Sequence, residues 1–435
     1  MQHPRRTTIL AVPALLALGA CGSDTSPAEP TAGSASTAGG GDPADVSEAP
    51  QSDDAPAAGS AAVDERSIEL LRIAYDAASK MPHRPHVKTR SRLQGEAIEA
   101  LLEVEGGAAL VPEWADGIDD WRRGVAYGML ATHYAKAGDG DRAREYLAVA
   151  EAQEAAATGD DVQGWHRDTI KLHVATTYLA FGDEGRVNAI HATLGEVESG
   201  KLSAIRAESV PTGAVDANVE RLLEAIPGAS SDQVHFALLS IAHFCGIVYD
   251  DTERRSELET AIRESWNPVT FGARVEILAV LARQHIAAGE SAKAIGLIDE
   301  LDGYLDGFRM RAEDEVEFVA DIAKMRAQAG DIPNGVATAD SALVRFESSR
   351  DSIADVFRGE ALRPLAEAYV ALGESATAND VYERAMAEAV VNPNSRPRAT
   401  DLVRTCASIV RSGHAPSDSL LETLRSTQKD LGAPW

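Results

Sequence analysis

Eleven histidines, three cysteines and 68 acidic residues are spread over 435 positions, and few of them stand at a spacing that performs chemistry. Gly138-Asp139-Gly140-Asp141-Arg142-Ala143 spells a glycine pattern that can cradle a dinucleotide pyrophosphate. That use needs a strand in front, so that the phosphates rest on the following helix. An amphipathic helical pattern precedes it here, so the segment reads as a turn between helices. Gly195 and Gly200 followed by Lys201 come close to a phosphate loop, but Leu202 stands where Ser or Thr would hold magnesium. His166 and His173 lie about 10 Å apart along a helix axis, and His235 and His243 about 12 Å. Neither pair can chelate one ion alone through nitrogen contacts near 2 Å. His133, His173 and His191 can meet only across packed helices, where satisfied interhelical histidines are common. No His-Glu-x-x-His, Gly-x-Ser-x-Gly or calcium-loop spacing occurs. The reading is no catalytic residue, no metal site and no cofactor.

Cys21 is the exception. Arg5 and Arg6 open the chain, Thr7 to Leu18 form an apolar run, and Leu18-Gly19-Ala20-Cys21 closes it with small residues and a thiol. A basic start, a short apolar run and a small-residue site make a secretory signal; the run is shorter than the roughly 20 residues a membrane-spanning helix needs. The layout resembles the lipobox of bacterial lipoproteins. The resemblance implies that residues 1–20 are a signal peptide, and that Cys21 carries acyl chains such as palmitate and becomes the mature N-terminus. The chain is then exported and held at a membrane by lipid. Gly22 is not the acidic residue linked to inner-membrane retention, which favours the periplasmic face of the outer membrane in a Gram-negative host. Residues 22–65 are Gly, Ser, Ala, Thr, Pro and acids, with Val46 and Val63 as the only large aliphatics. Such a segment buries too little to offset its ordering entropy and is expected to be a disordered tether, with a root-mean-square span of roughly 35–40 Å.

Loss of Arg5 and Arg6 with the leader takes the formal charge from −27 to −29, of which the tether carries −9 and the body from Arg66 onward −20. A body this acidic repels nucleic acid, whose binding depends on Lys and Arg. The basic run Lys80, Arg84, Lys88, Arg90 and Arg92 reads as a solvated helix face. Cys245 and Cys406 are too few for a stapled fold. Both sit in apolar helical segments, and in a solenoid they lie far beyond the 7 Å that a disulfide spans. They read as free, buried thiols.

From Arg66 onward the chain is Ala-, Leu- and Glu-rich, with apolar residues at three- and four-residue steps that predict helix after helix. The strongest unit carries Tyr127, Leu130, Ala131 and Tyr134, a turn at Ala137-Gly138-Asp139, then Ala143, Leu147 and Ala150. Leu362, Leu365, Ala366, Tyr369, Gly373, Ala378, Tyr382 and Ala385 repeat it, with Pro393 beyond. Leu278, Leu281, Ala282, Gly289, Ala294, Ile298 and Leu301 do so too, with His285 at the tyrosine position. Weaker copies centre on Tyr178 with Gly182, Ile322 and Ala323 with Gly330, and Ile409 with Gly413. The spacing resembles a tetratricopeptide repeat, which implies an all-α, tetratricopeptide-like α-solenoid of helical hairpins after the linker. Gly246, Gly289, Gly330, Gly373 and Gly413 are 43, 41, 43 and 40 residues apart and read as turn glycines. That period exceeds the family's 34, and the family's tryptophan is missing. Residues 66–112 read as an atypical capping hairpin, broken at Met81-Pro82. Repeats fill about 120–430, and residues 196–230 match no unit and read as a joint.

In that family the first helix of each hairpin lines a partner groove. On this spacing the groove face includes Lys136, Glu276, Arg283, Glu317, Lys324, Glu360 and Arg363. The expected function is a lipid-anchored cell-envelope scaffold that binds an envelope protein or peptide without catalysis. The alternative is an α/α-toroid enzyme acting on envelope polysaccharide. Against it stands an aromatic content of only 5%, with Trp114, Trp121, Trp165 and Trp266 scattered.

Overall fold

The computed structural model describes residues 58–158 and 163–435. The signal peptide, Cys21 and most of the tether lie outside the described residues. Within them the chain is all-α, a tetratricopeptide-like succession of helical hairpins, with nineteen α-helices and no strand. Helix α1 (Ala58–Ser79) and α2 (His83–Leu101) are followed by a short α3 (Val111–Asp116). Eight hairpins follow: α4 (Arg122–Lys136) with α5 (Gly140–Ala156), α6 (Gly164–Ala180) with α7 (Glu184–His191), α8 (Glu196–Ala207) with α9 (Val215–Ala225), and α10 (Ser231–Ile247) with α11 (Thr252–Ser265). The remaining four are α12 (Phe271–Ala287) with α13 (Ser291–Gly303), α14 (Ala312–Gln328) with α15 (Ile332–Ser349), α16 (Asp355–Ala371) with α17 (Ser375–Val390), and α18 (Ser395–Arg411) with α19 (Asp418–Lys429). Helix α1 starts at Ala58, inside the segment read as tether; Ala58, Ala61 and Ala62 are the strongest helix formers there and extend the helix toward the N-terminus.

Six of the eight turns share one chemistry. Asp139, Asp183, Glu290, Asp331, Glu374 and His414 each donate a backbone N–H to the carbonyl five residues back, on Tyr134, Tyr178, His285, Arg326, Tyr369 and Ile409, at 2.8–3.0 Å. This is the Schellman closure, which needs a left-handed residue in between. Gly138, Gly182, Gly289, Gly330, Gly373 and Gly413 supply it, with φ between 65° and 82°. Asp139 and Asp183 then cap the next helix by accepting from Arg142 N and Arg186 N. Gly246 is a correction: it lies inside α10, not in a turn. The α10–α11 turn is Val248-Tyr249-Asp250-Asp251 without glycine, and Gly246 instead leaves room for Gln284, which donates to Ala242 O at 2.7 Å. Residues 196–230 hold the two helices α8 and α9, which both pack on α10. Hairpins starting at residues 122, 164, 196, 231 and 271 are 42, 32, 35 and 40 residues apart, so a period near 42 passes over the two short units.

The first helices pack in sequence, α4 on α6, α6 on α8, α8 on α10, α10 on α12, α14 on α16, and α16 on α18, with α12 reaching α14 through α13 and the Phe271–Phe318 ring contact. The series then returns: α18 packs on α2, and α2 on α4. Hairpin α1–α2 therefore does not cap an open end. It fills the gap between the last and first repeats and closes the helices into a ring. One hydrophobic cluster runs through this seam, uniting Met81, Leu93 and Ile98 with Leu402, Cys406 and Leu424. A second, from Ala204 to Ala329, serves the opposite arc. A small one of Leu172, Ala175, Val187 and Leu202 sits between them, where the hairpins are shortest. The second helices pack each against its own first helix, except α9, which packs on α10.

Candidate functional site: the charged face of the first helices

Each first helix turns one stripe to its hairpin partner and the next repeat, leaving a strip that its second helix does not cover. On α12, α14, α16, α18 and α2 that strip is charged, and the charges link helix to helix. Lys324 on α14 donates to Glu367 on α16 at 2.6 Å, and Glu367 accepts from Ser408 on α18 at 2.7 Å. Ser408 in turn meets the buried Tyr382 hydroxyl at 2.9 Å. Arg404 on α18 bridges Glu360 on α16 at 3.1 Å and Glu96 on α2 at 3.2 Å. Arg411 joins Glu99 at 3.3 Å and Glu103 at 3.1 Å across the ring seam. At the other end of the belt, His235 on α10 lies 2.9 Å from Glu276 on α12, and His243 lies 3.9 Å from Glu208.

Three charges in the middle of this belt are left over. Among the described residues, Arg283, Glu317 and Asp321 make no side-chain hydrogen bond or ion pair, although each is half-buried. Burial pushes the Glu317 carboxyl up to about 7, helped by repulsion from Asp321 and Glu360 and opposed by Arg363. Burial also lifts Asp321 to about 6, against the pull of Lys324. Arg283 is lowered by the same loss of water, with Asp321 and Glu276 opposing. Protein surrounds these groups while their tips still meet solvent, as at the floor of a cleft. Glu317 and Asp321, four residues apart on α14, share a face. Chemically the patch presents two carboxyls that change charge near neutral pH beside one guanidinium.

The residues expected on a groove face divide four ways. Arg283 and Glu317 stand in the belt unpaired, and Glu276 stands in it beside His235. Lys324 and Glu360 stand in it as well, but are engaged with Glu367 and Arg404. Arg363 is not on the open face at all: it is 6% exposed and paired at 2.8 Å with Asp401, which is 4% exposed. That pair joins α16 to α18 inside the wall of the ring. Lys136 sits exposed at the end of α4, apart from the belt. Sequence spacing missed Glu367, Asp401, Arg404 and the α2 acids, since their partners lie 38 to 308 residues away, and it missed Asp321 as well. The i, i+4 step from Glu317 to Asp321 was the one local signal.

Cys245 and Cys406 are free and buried, as their apolar surroundings implied; burial pushes the Cys245 thiol up to about 12 and Cys406 higher. Among the described residues no cluster of His, Cys, Asp or Glu has the geometry to hold a metal ion, and no helix is long and apolar enough to cross a membrane. His133 and His173 are instead held neutral by burial, His173 down to about 4. No protein-family model matches this sequence, and no curated protein aligns with it significantly.

Proposed function

We propose that this protein is an exported, lipid-anchored envelope scaffold that holds a segment of a partner protein against the charged face of its helical ring. The anchor reading rests on Leu18-Gly19-Ala20-Cys21 behind a basic, apolar leader. The binding reading rests on one observation above the rest: among the described residues, the half-buried charges Arg283, Glu317 and Asp321 make no side-chain hydrogen bond or ion pair. Such groups carry a desolvation cost that a protein ordinarily relieves by pairing them. A partner presenting Lys or Arg to the carboxyls, and an acid or carbonyl to Arg283, relieves it on binding. The tether gives the ring reach from the membrane surface.

The test is capture from solubilised envelope, comparing the wild-type chain with Arg283→Glu, with Glu317→Gln/Asp321→Asn and with Cys21→Ser. Binding at this face predicts one defined protein retained by the wild type and lost from both face variants, whereas Cys21→Ser moves the chain to the soluble fraction. A partner retained equally by all face variants rejects the site, and membrane retention of Cys21→Ser rejects the anchor.

Ring closure and the Glu317–Asp321 pair lend specific support to a second reading, an α/α-toroid enzyme on polysaccharide. A carboxyl held near 7 beside one near 6 is suited to general acid and base work. Turnover of envelope glycans that disappears in Glu317→Gln favours this reading over the scaffold.

A further inference from the structure

Away from the paired charges of the belt, α8, α9 and α10 line a half-open pocket of about 360 Å³ walled by Leu194, Leu222, Ile226 and Phe236. Ser199 and Gln233 also line it. Ser199 Oγ lies 2.7 Å from His191 Nε2, at the end of α7. Helical serines and threonines commonly return their hydroxyl to the carbonyl four residues back. Ser203, Ser240, Thr132 and Thr176 do so here. Ser199 does not; its hydroxyl faces the imidazole. Burial holds His191 below its ordinary value, so the ring is neutral near pH 7. Nε2 also lies 3.2 Å from the Ser199 carbonyl and 3.4 Å from Ser203 Oγ. The tautomer protonated on Nδ1 leaves Nε2 to accept from the Ser199 hydroxyl, the single Ser203 hydrogen being committed to the Ser199 carbonyl.

We propose that Ser199 and His191 form a nucleophile–base pair that hydrolyses small carboxylic esters with an apolar acyl group. This site is separate from the charged belt and stands without the partner-binding reading. The acyl chain occupies the wall of Leu194, Leu222, Ile226 and Phe236, within the size range of small-ligand pockets. Ser199 Oγ attacks the ester carbonyl carbon while its proton passes to His191 Nε2. The carbon–oxygen bond to the alcohol breaks, and His191 returns the proton to the leaving alkoxide. Water then attacks the acyl carbon with His191 taking its proton, releasing the carboxylic acid and regenerating Ser199; no electron is gained or lost. Gln233 Oε1 is held by Ser230 N–H at 3.0 Å. That leaves the Gln233 amide N–H groups as donors to the developing oxyanion. Gly200 has no side chain because a Cβ there would stand 2.2 Å from the Phe236 ring, so the nucleophile's neighbour is fixed by the cavity wall.

The experiment treats the purified chain with a fluorophosphonate and follows p-nitrophenyl butyrate hydrolysis, with Ser199→Ala, His191→Gln and, as a serine outside the cavity, Ser209→Ala. The proposal predicts one covalent adduct on Ser199 by peptide mass, present in the wild type and Ser209→Ala and absent from Ser199→Ala. Ester turnover falls by about 100-fold or more in Ser199→Ala and His191→Gln, with circular dichroism and melting temperature unchanged in Ser199→Ala. A folded wild type that takes no adduct, an adduct on another residue, or turnover that survives Ser199→Ala overturns it.

Discussion

Arg363 and Asp401 illustrate how one residue pair can be indispensable without being functional. Their 2.8 Å contact sits among side chains that leave both almost without solvent, and burial raises the Asp401 carboxyl despite the guanidinium beside it. Removing one partner strands the other charge, so Asp401→Asn is expected to cost about 3–5 kcal/mol of unfolding free energy in urea. Arg363→Met/Asp401→Leu costs much less, because neither charge remains to be desolvated. A double variant weaker than the single one contradicts the pairing. Glu317 and Asp321 behave in the opposite sense. Both carboxyls hold their protons more tightly in the folded chain than unfolded, to about 7 and about 6. The folded state therefore binds the extra protons, and their contribution to stability rises as pH falls from about 7 toward the ordinary carboxyl range. Glu317→Gln/Asp321→Asn is expected to be more stable than wild type at pH 8 by on the order of 1–2 kcal/mol. The difference should close by pH 4, as read by urea unfolding at both values. A difference independent of pH would show that these carboxyls titrate normally.

At the scale of the element, the turn decides each hairpin. Gly373 holds φ at 81° to close α16 onto Glu374 N–H, and Gly373→Ala is expected to cost about 1–2 kcal/mol from the left-handed backbone alone. Gly296, exposed in the middle of α13 with open space around it, is expected to respond the other way, gaining about 0.5–1 kcal/mol as alanine. Thermal melts of the two variants shifting in the same direction would contradict this account of the turns. The same chemistry explains what could be read before the fold was known. Turn glycines were legible at 289, 330, 373 and 413 because only glycine takes that conformation freely. Gly246 misled because its spacing imitated a turn, while the real turn used Asp250 and Asp251 beneath Tyr249. The α8–α9 unit was illegible because its repeat is about seven residues short of the 42-residue period and follows one ten residues short, a departure that a single sequence does not flag. The tyrosine position was legible as a pattern and not as a mechanism. Tyr178 and Tyr369 donate to Glu151 and Asp340 on the preceding outer helix at 2.7 and 2.8 Å, and Arg326 reaches Asp299 and Asp302 from the same place. In these repeats one position thus ties the unit to the one before it, through whichever polar group it carries; in α18 the same position is the apolar Ile409. Of the candidate face, the i, i+7 recurrence of charge was visible; which charges remain unpaired depends on neighbours in other repeats and was not.

Closure is a property of the whole set of helices. Each hairpin contributes a small rotation relative to the last, and no single unit encodes that nine first helices return to their start. The seam shows what holds them there. Arg404 and Arg411 pair with Glu96, Glu99 and Glu103 between α18 and α2; Arg66 pairs with Asp418 and Arg425 with Glu69 between α1 and α19; and Lys80 donates to Gln428 O at 2.6 Å. Exposed pairs of this kind are worth about 0–1 kcal/mol each, whereas burying each Leu or Ile of the shared cluster contributes about 1.5–3 kcal/mol. Apolar packing therefore carries the closure and the ion pairs set its register. It follows that the ring stays shut when salt screens the pairs. The measurement that tests this most directly is the spin-label distance between Lys80→Cys and Lys429→Cys in a Cys21→Ser/Cys245→Ala/Cys406→Ala chain, at 0.1 M and 1 M salt. A closed ring predicts a distance of about 20 Å at both, since the Lys80 side chain reaches the Lys429 carbonyl at 3.3 Å. An open solenoid of nine first helices at about 9 Å spacing would separate its ends by on the order of 70 Å, and a distance of that size at either salt concentration would contradict the ring.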